Sequence, residues 1–322
     1  MKYQGIGKRG LAISIILMAA MCAASFLFAP GERLTGESGI CLPSPNLWNI
    51  LPIWSWGINT FLLGAIAAGG FFLNRYFNFI RSTEPVLPTM FLVLAASNPW
   101  NDTHLSASTI ICAVVILCMA ILFGCYRKPN ATQEIFIIAT FISIGSMCQY
   151  AFLPFIIPIV AGAAIMKAFR IKELIALGMG LLAPWWVALG MGIIPPEDVT
   201  IPEISNLFNG FVATPDLFVL FLSVGLASFI GLVLGFNNSI KLYAGNSRVN
   251  ALNMTLSLTG LTCMIFVIAD FNNMMAYLTT LYFTIAVQIA NLCALWPIKR
   301  EWIIGAVIAL IYVIFFLIML FT

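Results

Sequence analysis

The chain has 322 residues, of which 61% are hydrophobic and only 8% are charged, and its formal net charge is +3. Soluble domains carry about 25% charged residues, so this composition excludes a soluble globular protein and favours one whose solvent is a lipid bilayer. No stretch is polar enough or long enough to form a soluble domain, and we therefore predict a single integral membrane domain over residues 1–322.

Apolar runs of membrane-spanning length recur along the whole chain. A helix needs about 20 apolar residues to cross the hydrocarbon core of a bilayer. The sequence predicts helices at Leu11–Ala29, Leu51–Leu73, Pro85–Ser97, Ala107–Cys125, Ile135–Tyr150, Phe152–Met166, Leu174–Ile194, Leu217–Phe236, Ala251–Ala269, Met275–Trp296 and Trp302–Phe321. The predicted fold class is all-α, a polytopic transmembrane bundle of about 11 helices.

The N-terminus resembles a signal peptide, because three basic residues precede the apolar run Leu11–Ala29. Pro30 would hinder cleavage directly after this run, and we retain the run as the first helix. Cleavage near Ser25 is the alternative, and it would remove one crossing without changing the rest of the topology.

The basic residues predict an orientation. Lys and Arg concentrate in the cytoplasmic loops of multi-pass proteins. With the N-terminus in the cytoplasm, only Arg33 of the 15 basic residues falls in an outer segment. Omitting one of the short helices would misplace the later basic loops. We therefore expect a multi-pass protein of the bacterial inner membrane, with its C-terminus outside.

The outer segments are acidic, which the topology does not require, because acidic residues contribute little to orientation. Four of the 12 acidic residues are predicted inside, namely Glu84, Glu134, Glu173 and Glu301. Glu32 and Glu37 lie in the long loop after the first helix, and Asp102 and His104 lie in the short loop after the third. An Asp-x-His spacing suits acid–base chemistry or cation binding. These four residues are the candidate catalytic residues, with solvated loops as the alternative.

Several kinds of site have no support in the sequence. The single histidine excludes a multi-histidine metal or haem site, and the eight cysteines show no CxxC spacing. No predicted helix carries a charged residue at its centre, which argues against ion-driven transport. The basic residues are scattered in short loops, which gives no support to nucleic-acid binding. We expect no metal and no cofactor.

Cys41 and Cys148 are the two cysteines that fall where an oxidising compartment could reach them. A disulfide between them is one alternative and two free thiols are the other, since the sequence gives no distance between them.

The polar side chains near the centres of the predicted helices are uncharged, namely those of Ser, Thr, Asn and Gln. Gln288 and Asn291 lie on one face of the same helix, three residues apart. Hydrogen bonds between helices, worth about 0.6 kcal/mol each, are one interpretation. The other is a polar groove for a lipid head group or a glycan, with Gln288 and Asn291 as substrate-binding residues. Gly64 and Ala68, like Gly178 and Gly180, are expected to allow close helix contacts.

Three stretches carry a resemblance to a known family. Asn74–Ile80 precedes a short helix that ends at Ser97-Asn98-Pro99, a later helix holds Pro154 and Pro158, and the stretch from Leu281 through Lys299-Arg300-Glu301-Trp302 leads into a final apolar helix. In this layout, over most of its length, the chain resembles an uncharacterised Bacteroidetes-type family of polytopic membrane proteins, a domain of unknown function. This resemblance implies a fold and no activity.

The layout is also similar to polyprenyl-phosphate-dependent glycosyltransferases of the multi-helix membrane type. Those enzymes have acidic residues in two outer loops, where Glu32 or Glu37 and Asp102 stand here. The stretch around Gln149 and Tyr150 resembles their helix hairpin, which implies substrate-binding roles for both. The chain departs from the family because no tandem acidic pair follows the first helix and no large outer domain follows the last.

Three functions remain open from the sequence. The main hypothesis is a non-catalytic assembly or scaffold component of the cell envelope. The alternatives are a glycan- or lipid-handling enzyme, similar to a lipid-linked sugar transferase, with an outward-facing acidic site, and a transporter or flippase. The expected partners are membrane lipids, together with a lipid-linked glycan or other envelope proteins.

Overall fold

The structure, a computed structural model, describes residues 8–29, 39–80, 82, 84–195, 197, 199, 215–243, 246–295 and 301–321. These residues form helices and connecting segments, without a β-strand. The α-helices are α1 Lys8–Phe28, α2 Pro52–Phe77, α3 Val86–Ala95, α4 Pro99–Asp102, α5 Ala107–Gly124, α6 Thr132–Cys148, α7 Ile156–Ile165, α8 Ile171–Gly190, α9 Pro215–Tyr243, α10 Ser247–Ala269, α11 Met274–Leu295 and α12 Glu301–Phe321.

Eight of the helices in the described ranges are long and apolar enough to cross a membrane, namely α1, α2, α5, α8, α9, α10, α11 and α12. Three further apolar stretches are shorter: α3, α6 and the continuous helical segment Tyr150–Ile165. The protein is thus an all-helical bundle with the composition of a multi-pass membrane protein.

Each predicted helix coincides with a helical segment, but one helix is longer than predicted and one predicted loop contains an additional short helix. Helix α9 continues past Phe236 to Tyr243. The predicted loop after the third helix contains α4, which begins where the Asn98 side chain accepts a hydrogen bond from the backbone N–H of Trp100. An Asn cap followed by proline in the first turn is a typical helix start, so this signal was present in the sequence.

Helices α3 and α11 form the centre of the bundle. All 10 residues of α3 are buried, and so is every residue of α11 from Met274 to Cys293. Helix α11 packs against α3, α5, α9 and α10. At 1.5 Å per residue α3 is only about 15 Å long, half of a bilayer core of about 30 Å. The residues that follow it, Ala96, Ser97 and Asn98, are also buried by protein.

Glycines allow close packing at some of the predicted positions and not at others. A Cβ placed at Gly180 would lie 2.6 Å from the carbonyl oxygen of Phe136, so α6 and α8 touch there backbone to backbone. The expectation of a close contact at Gly64 and Gly178 is wrong, because a Cβ at either position would meet no atom within 4 Å. Both positions face open space, and Gly64 lines an apolar groove together with Leu11 and Ile15 of α1.

One end of the bundle gathers four connectors: those before α2, between α3 and α5, between α6 and α7, and between α10 and α11. We call it the Asp270 end. The backbone N–H of Leu42 donates to the carbonyl oxygen of Met147 at 2.9 Å, and that of Ala107 donates to Oδ1 of Asn46 at 2.8 Å. All four connectors are segments that the charge pattern predicts outside.

The opposite end, the Glu173 end, gathers connectors that the charge pattern predicts inside. Glu173 is 2% exposed and accepts hydrogen bonds from the backbone N–H groups of Ala131 and Arg170, which ties the starts of α6 and α8 together. The side-chain amide of Asn253 donates to the carbonyl oxygen of Phe79 at 2.8 Å.

Candidate functional site

Asp270 is the centre of a buried polar network at the end named after it. It follows the last residue of α10 and is 1% exposed. Its Oδ1 accepts a hydrogen bond of 2.7 Å from the Tyr150 hydroxyl and one of 3.2 Å from the Asn273 side-chain amide, and its Oδ2 accepts one of 3.1 Å from the Tyr277 hydroxyl. Both carboxylate oxygens are therefore paired inside the protein.

Gln149 extends this network across the gap between α6 and α7. Its side-chain amide donates to Oδ1 of Asn273 at 2.8 Å, and the Asn273 amide also donates to the Tyr150 hydroxyl. Gln149 is completely buried, and its own Oε1 has no hydrogen-bond partner among the described residues. The predicted pair Gln149 and Tyr150 thus joins Asp270, 120 residues further along the chain from Tyr150.

Asp102 lies inside the protein and not in an exposed loop as the sequence suggested. It is 0% exposed at the end of α4. Neither carboxylate oxygen has a hydrogen-bond partner of normal geometry in the described part of the chain, although the Cys22 thiol of α1 lies beside it. Burial raises the pKa of Asp102 well above its usual value, so the neutral acid is the form that this site favours.

Amide side chains fix the short helix that carries Asp102. The Asn101 side-chain amide donates to Oγ1 of Thr279 on α11 at 3.1 Å, and its backbone carbonyl accepts from the Asn59 amide of α2 at 3.0 Å. The Asn98 amide lies 3.3 Å from the sulfur of Met275. Helix α4 is therefore held between α2 and α11, which keeps the Asp102 side chain inside.

His104 does not form an acid–base pair with Asp102 in this structure. Its Nδ1 lies 2.8 Å from the hydroxyl oxygen of the adjacent Thr103, and the residue is only partly buried. Glu32 and Glu37, the other two candidate catalytic residues, lie outside the described residues, as does most of the predicted loop between α8 and α9.

Gln288 and Asn291 both bridge helices in the part of α11 that leads to the Glu173 end. The Gln288 side-chain amide donates to the Ser257 hydroxyl at 2.9 Å, and its Oε1 accepts from the Asn238 amide at 3.0 Å. The Asn291 amide donates to Oδ1 of Asn253 at 2.6 Å. These bonds join α11 to α9 and α10.

A lateral groove lies between α9, α10 and α11, with a volume of about 260 Å³. The exposed side chains of Phe236 and Leu232 on α9 and of Leu261 and Met254 on α10 stand at its mouth. The rest of its lining combines the apolar side chains of Leu258, Met264 and Ile285 with small and polar residues, namely Gly231, Gly235, Ser239, Ser257, Gly260, Thr284 and Gln288. The groove therefore opens sideways from membrane-spanning helices and has an amide within it.

The structure thus divides the predicted site residues among separate places. Gln149 and Tyr150 belong to the Asp270 network, Asp102 is buried beside α1, and Gln288 lies in the lateral groove. Asp270, Asn273 and Tyr277 are participants that the sequence reasoning did not single out. In the residues that the structure describes, no group of three His, Cys, Asp or Glu side chains is arranged to hold a metal ion.

The comparisons with known proteins give no relative from which an activity could be taken. No family model matches the chain, and no curated protein or solved structure is significantly similar to it.

Proposed function

We propose that the protein crosses the bacterial inner membrane eleven times, with its N-terminus in the cytoplasm and its C-terminus outside. The contacts between connectors support this topology. Segments predicted outside meet at the Asp270 end, and segments predicted inside meet at the Glu173 end, as an alternating chain requires. The basic residues indicate which end faces the cytoplasm. They concentrate in the segments on the side of the Glu173 end, and Lys and Arg are enriched in cytoplasmic loops.

We further propose that the protein acts as a non-catalytic assembly or scaffold component of the cell envelope, with membrane lipids and other envelope proteins as partners. The observation that carries this proposal is the closed Asp270 network. A catalytic carboxylate has to reach its substrate, whereas the Asp270 oxygens are occupied by Tyr150, Asn273 and Tyr277 and sealed from solvent. Such a network suits a rigid frame.

The test replaces the polar residues that an enzyme would need and asks whether function survives. Asp102→Asn and His104→Gln are introduced singly into the full-length protein, in cells that lack the chromosomal copy. We expect both variants to insert, to remain in a complex of wild-type size in mild detergent and to restore envelope integrity. Loss of envelope function in a variant that inserts and assembles normally would contradict the scaffold proposal.

A second candidate function is the handling of a lipid-linked substrate, and the lateral groove is the observation that favours it. A polyprenyl or acyl chain could enter between α9 and α10 from the bilayer, with the Gln288 amide near its polar group. The resemblance to polyprenyl-phosphate-dependent glycosyltransferases is consistent with this candidate. A photoreactive polyprenyl phosphate added to the purified protein in nanodiscs should then crosslink to α9 or α10.

A transporter or flippase has less support. Such a protein needs a continuous polar path, and the α10 hydroxyls do not provide one. The hydroxyls of Thr255, Thr259 and Thr262 each donate to a backbone carbonyl of their own helix at 2.9 Å.

A further inference from the structure

The segment before α2 lies directly on the end of α6, and this brings Cys41 to Cys148. The backbone N–H of Cys41 donates to the carbonyl oxygen of Met147 at 3.2 Å, and the Cys41 sulfur lies 3.8 Å from the same oxygen. That oxygen is two covalent bonds from the backbone nitrogen of Cys148. The backbone and the sulfur of Cys41 therefore lie against the peptide bond that leads into Cys148, and a disulfide requires such a close approach of the two chain segments.

The surrounding packing holds this segment in place. A Cβ placed at Gly39 would lie 2.6 Å from the carbonyl oxygen of Cys148, so only glycine fits at this approach. Cys41 also packs against a small apolar cluster made by Met147, Ala188 and Ile194. The contact is thus built from several points on α6, on α8 and on the segment that follows α8.

The remaining cysteines differ from this pair in exposure. Cys22, Cys112, Cys118, Cys125, Cys263 and Cys293 are all buried, whereas Cys41 and Cys148 are partly exposed. Burial, with a smaller contribution from the nearby Cys148, raises the pKa of the Cys41 thiol. A thiol with a raised pKa is a slow nucleophile at neutral pH, so oxidation of this pair would need a catalyst or a strong oxidant.

We propose that Cys41 and Cys148 form an intramolecular disulfide in the mature protein. Both thiols lose their protons and together give up two electrons, and a bond forms between the two sulfur atoms. The electrons pass by thiol–disulfide exchange to the disulfide of an oxidoreductase on the outer side of the membrane. The bond ties the segment before α2 to the hinge between α6 and α7, next to Gln149 and Tyr150.

The proposal rests on the proposed orientation, because only an outer Asp270 end would meet an oxidising compartment. Its test uses the full-length protein in cells. The cells are quenched with acid, and all free thiols are blocked with N-ethylmaleimide under denaturing conditions. After reduction the protein is labelled with a maleimide of high mass. We expect two labels per molecule, mapped to Cys41 and Cys148 by peptide mass spectrometry.

Two variants serve as matched controls. Cys148→Ser should leave Cys41 free, so that it is blocked before reduction and the label count falls from two to zero. Cys125→Ser should keep both labels. Blocking of Cys41 and Cys148 in the wild type before reduction would overturn the proposal, and so would continued protection of Cys41 in the Cys148→Ser variant.

A separate measurement distinguishes a wrong geometry from a wrong orientation. The purified, reduced protein in nanodiscs is treated with diamide, which oxidises neighbouring thiols on either side of a membrane. We expect the same disulfide to form. If it does not form, the Cys41 and Cys148 thiols are not close enough to be joined, and the disulfide proposal is overturned. If it forms with diamide but is absent in cells, the disulfide proposal is overturned, and labelling of Cys41 in the Cys148→Ser variant with a membrane-impermeant maleimide then tests the orientation alone.

Discussion

The Tyr150 hydroxyl donates a hydrogen bond of 2.7 Å to Oδ1 of Asp270, although 120 residues separate the two along the chain. This bond joins the hinge between α6 and α7 to the connector between α10 and α11. Because Asp270 is almost completely buried, a lost donor at this place is not replaced by bulk water.

Tyr150→Phe should therefore destabilise the protein by about 1–3 kcal/mol, the cost of leaving a buried polar group unsatisfied. Denaturant unfolding in detergent micelles measures the change. Tyr126→Phe is the matched control, since the Tyr126 hydroxyl makes an exposed contact of 3.1 Å with Ser247. Equal losses for the two variants would show that the Asp270 network does not stabilise the fold.

Gly180→Ala should push α6 and α8 apart, because its Cβ would meet the Phe136 carbonyl oxygen at 2.6 Å. We expect a loss of about 1–3 kcal/mol, the usual cost of overpacking. Gly178→Ala, in the same helix, meets no atom within 4 Å and should gain up to about 1 kcal/mol from helix propensity. The opposite signs make the pair a direct test of the close contact, and a neutral Gly180→Ala would contradict it.

Asp102→Asn should flatten the dependence of stability on pH. Burial raises the pKa of Asp102 in the folded protein above its unfolded value. The carboxyl is neutral in both states at low pH, so its contribution is fully present there. It is lost as the pH rises above the unfolded pKa, because ionisation is easier in the unfolded chain.

Unfolding midpoints at mildly acidic and mildly alkaline pH measure this effect. The wild type should lose more stability across the interval than Asp102→Asn does. Parallel slopes for the wild type and Asp102→Asn would show that burial does not raise the pKa of Asp102 in the folded protein.

Gly235→Leu should fill the lateral groove and lower crosslinking of a photoreactive polyprenyl phosphate at least several-fold. A Cβ at Gly235 would lie 3.9 Å from the Ser257 hydroxyl and 4.0 Å from the Gln288 amide carbon, so a longer side chain occupies the groove without displacing backbone. Gly225→Leu is the control, because Gly225 on the same helix meets no atom within 4 Å. Undiminished crosslinking in Gly235→Leu would place the lipid elsewhere.

The proposed topology predicts opposite locations for the two termini. A reporter that is active only outside the cytoplasm should be active when fused after Phe321, and a reporter that folds only in the cytoplasm should be active when fused before α1. An even number of crossings would place both termini on one side of the membrane. The same type of reporter would then be active at both termini, which would contradict the proposed topology.

The helices themselves were predictable from the sequence because apolar runs and basic loops are local signals. The partners of each helix were not. Helices α3 and α12 are both apolar, yet α3 is wholly buried while α12 has side chains at its surface such as Leu310, 61% exposed. In a membrane, protein and lipid are equally apolar surroundings, so composition cannot distinguish them.

The candidate site was predictable only in part, for a related reason. Gln149 and Tyr150 were singled out through a resemblance, but their hydrogen bonds to Asn273 and Asp270 depend on which hairpins pack together. Asp102 was expected in a loop, and its burial follows from hydrogen bonds of Asn101, whose side-chain amide donates to Thr279 on α11 and whose backbone carbonyl accepts from the Asn59 amide on α2. Long-range pairings of this kind leave no spacing pattern in the chain.

The shortness of α3 has a consequence for how the protein is made. A stretch of 10 residues is too short to lodge in a bilayer by itself, and its partners on α11 are synthesised much later. In the segment that follows α3, Asn98 contacts Met275, which lies 177 residues further along the chain, and Asn101 donates to Thr279, 178 residues further along. Until α11 has been made, α3 can pack only against helices that precede or closely follow it in the chain, and α1 and α2 are the two that contact it.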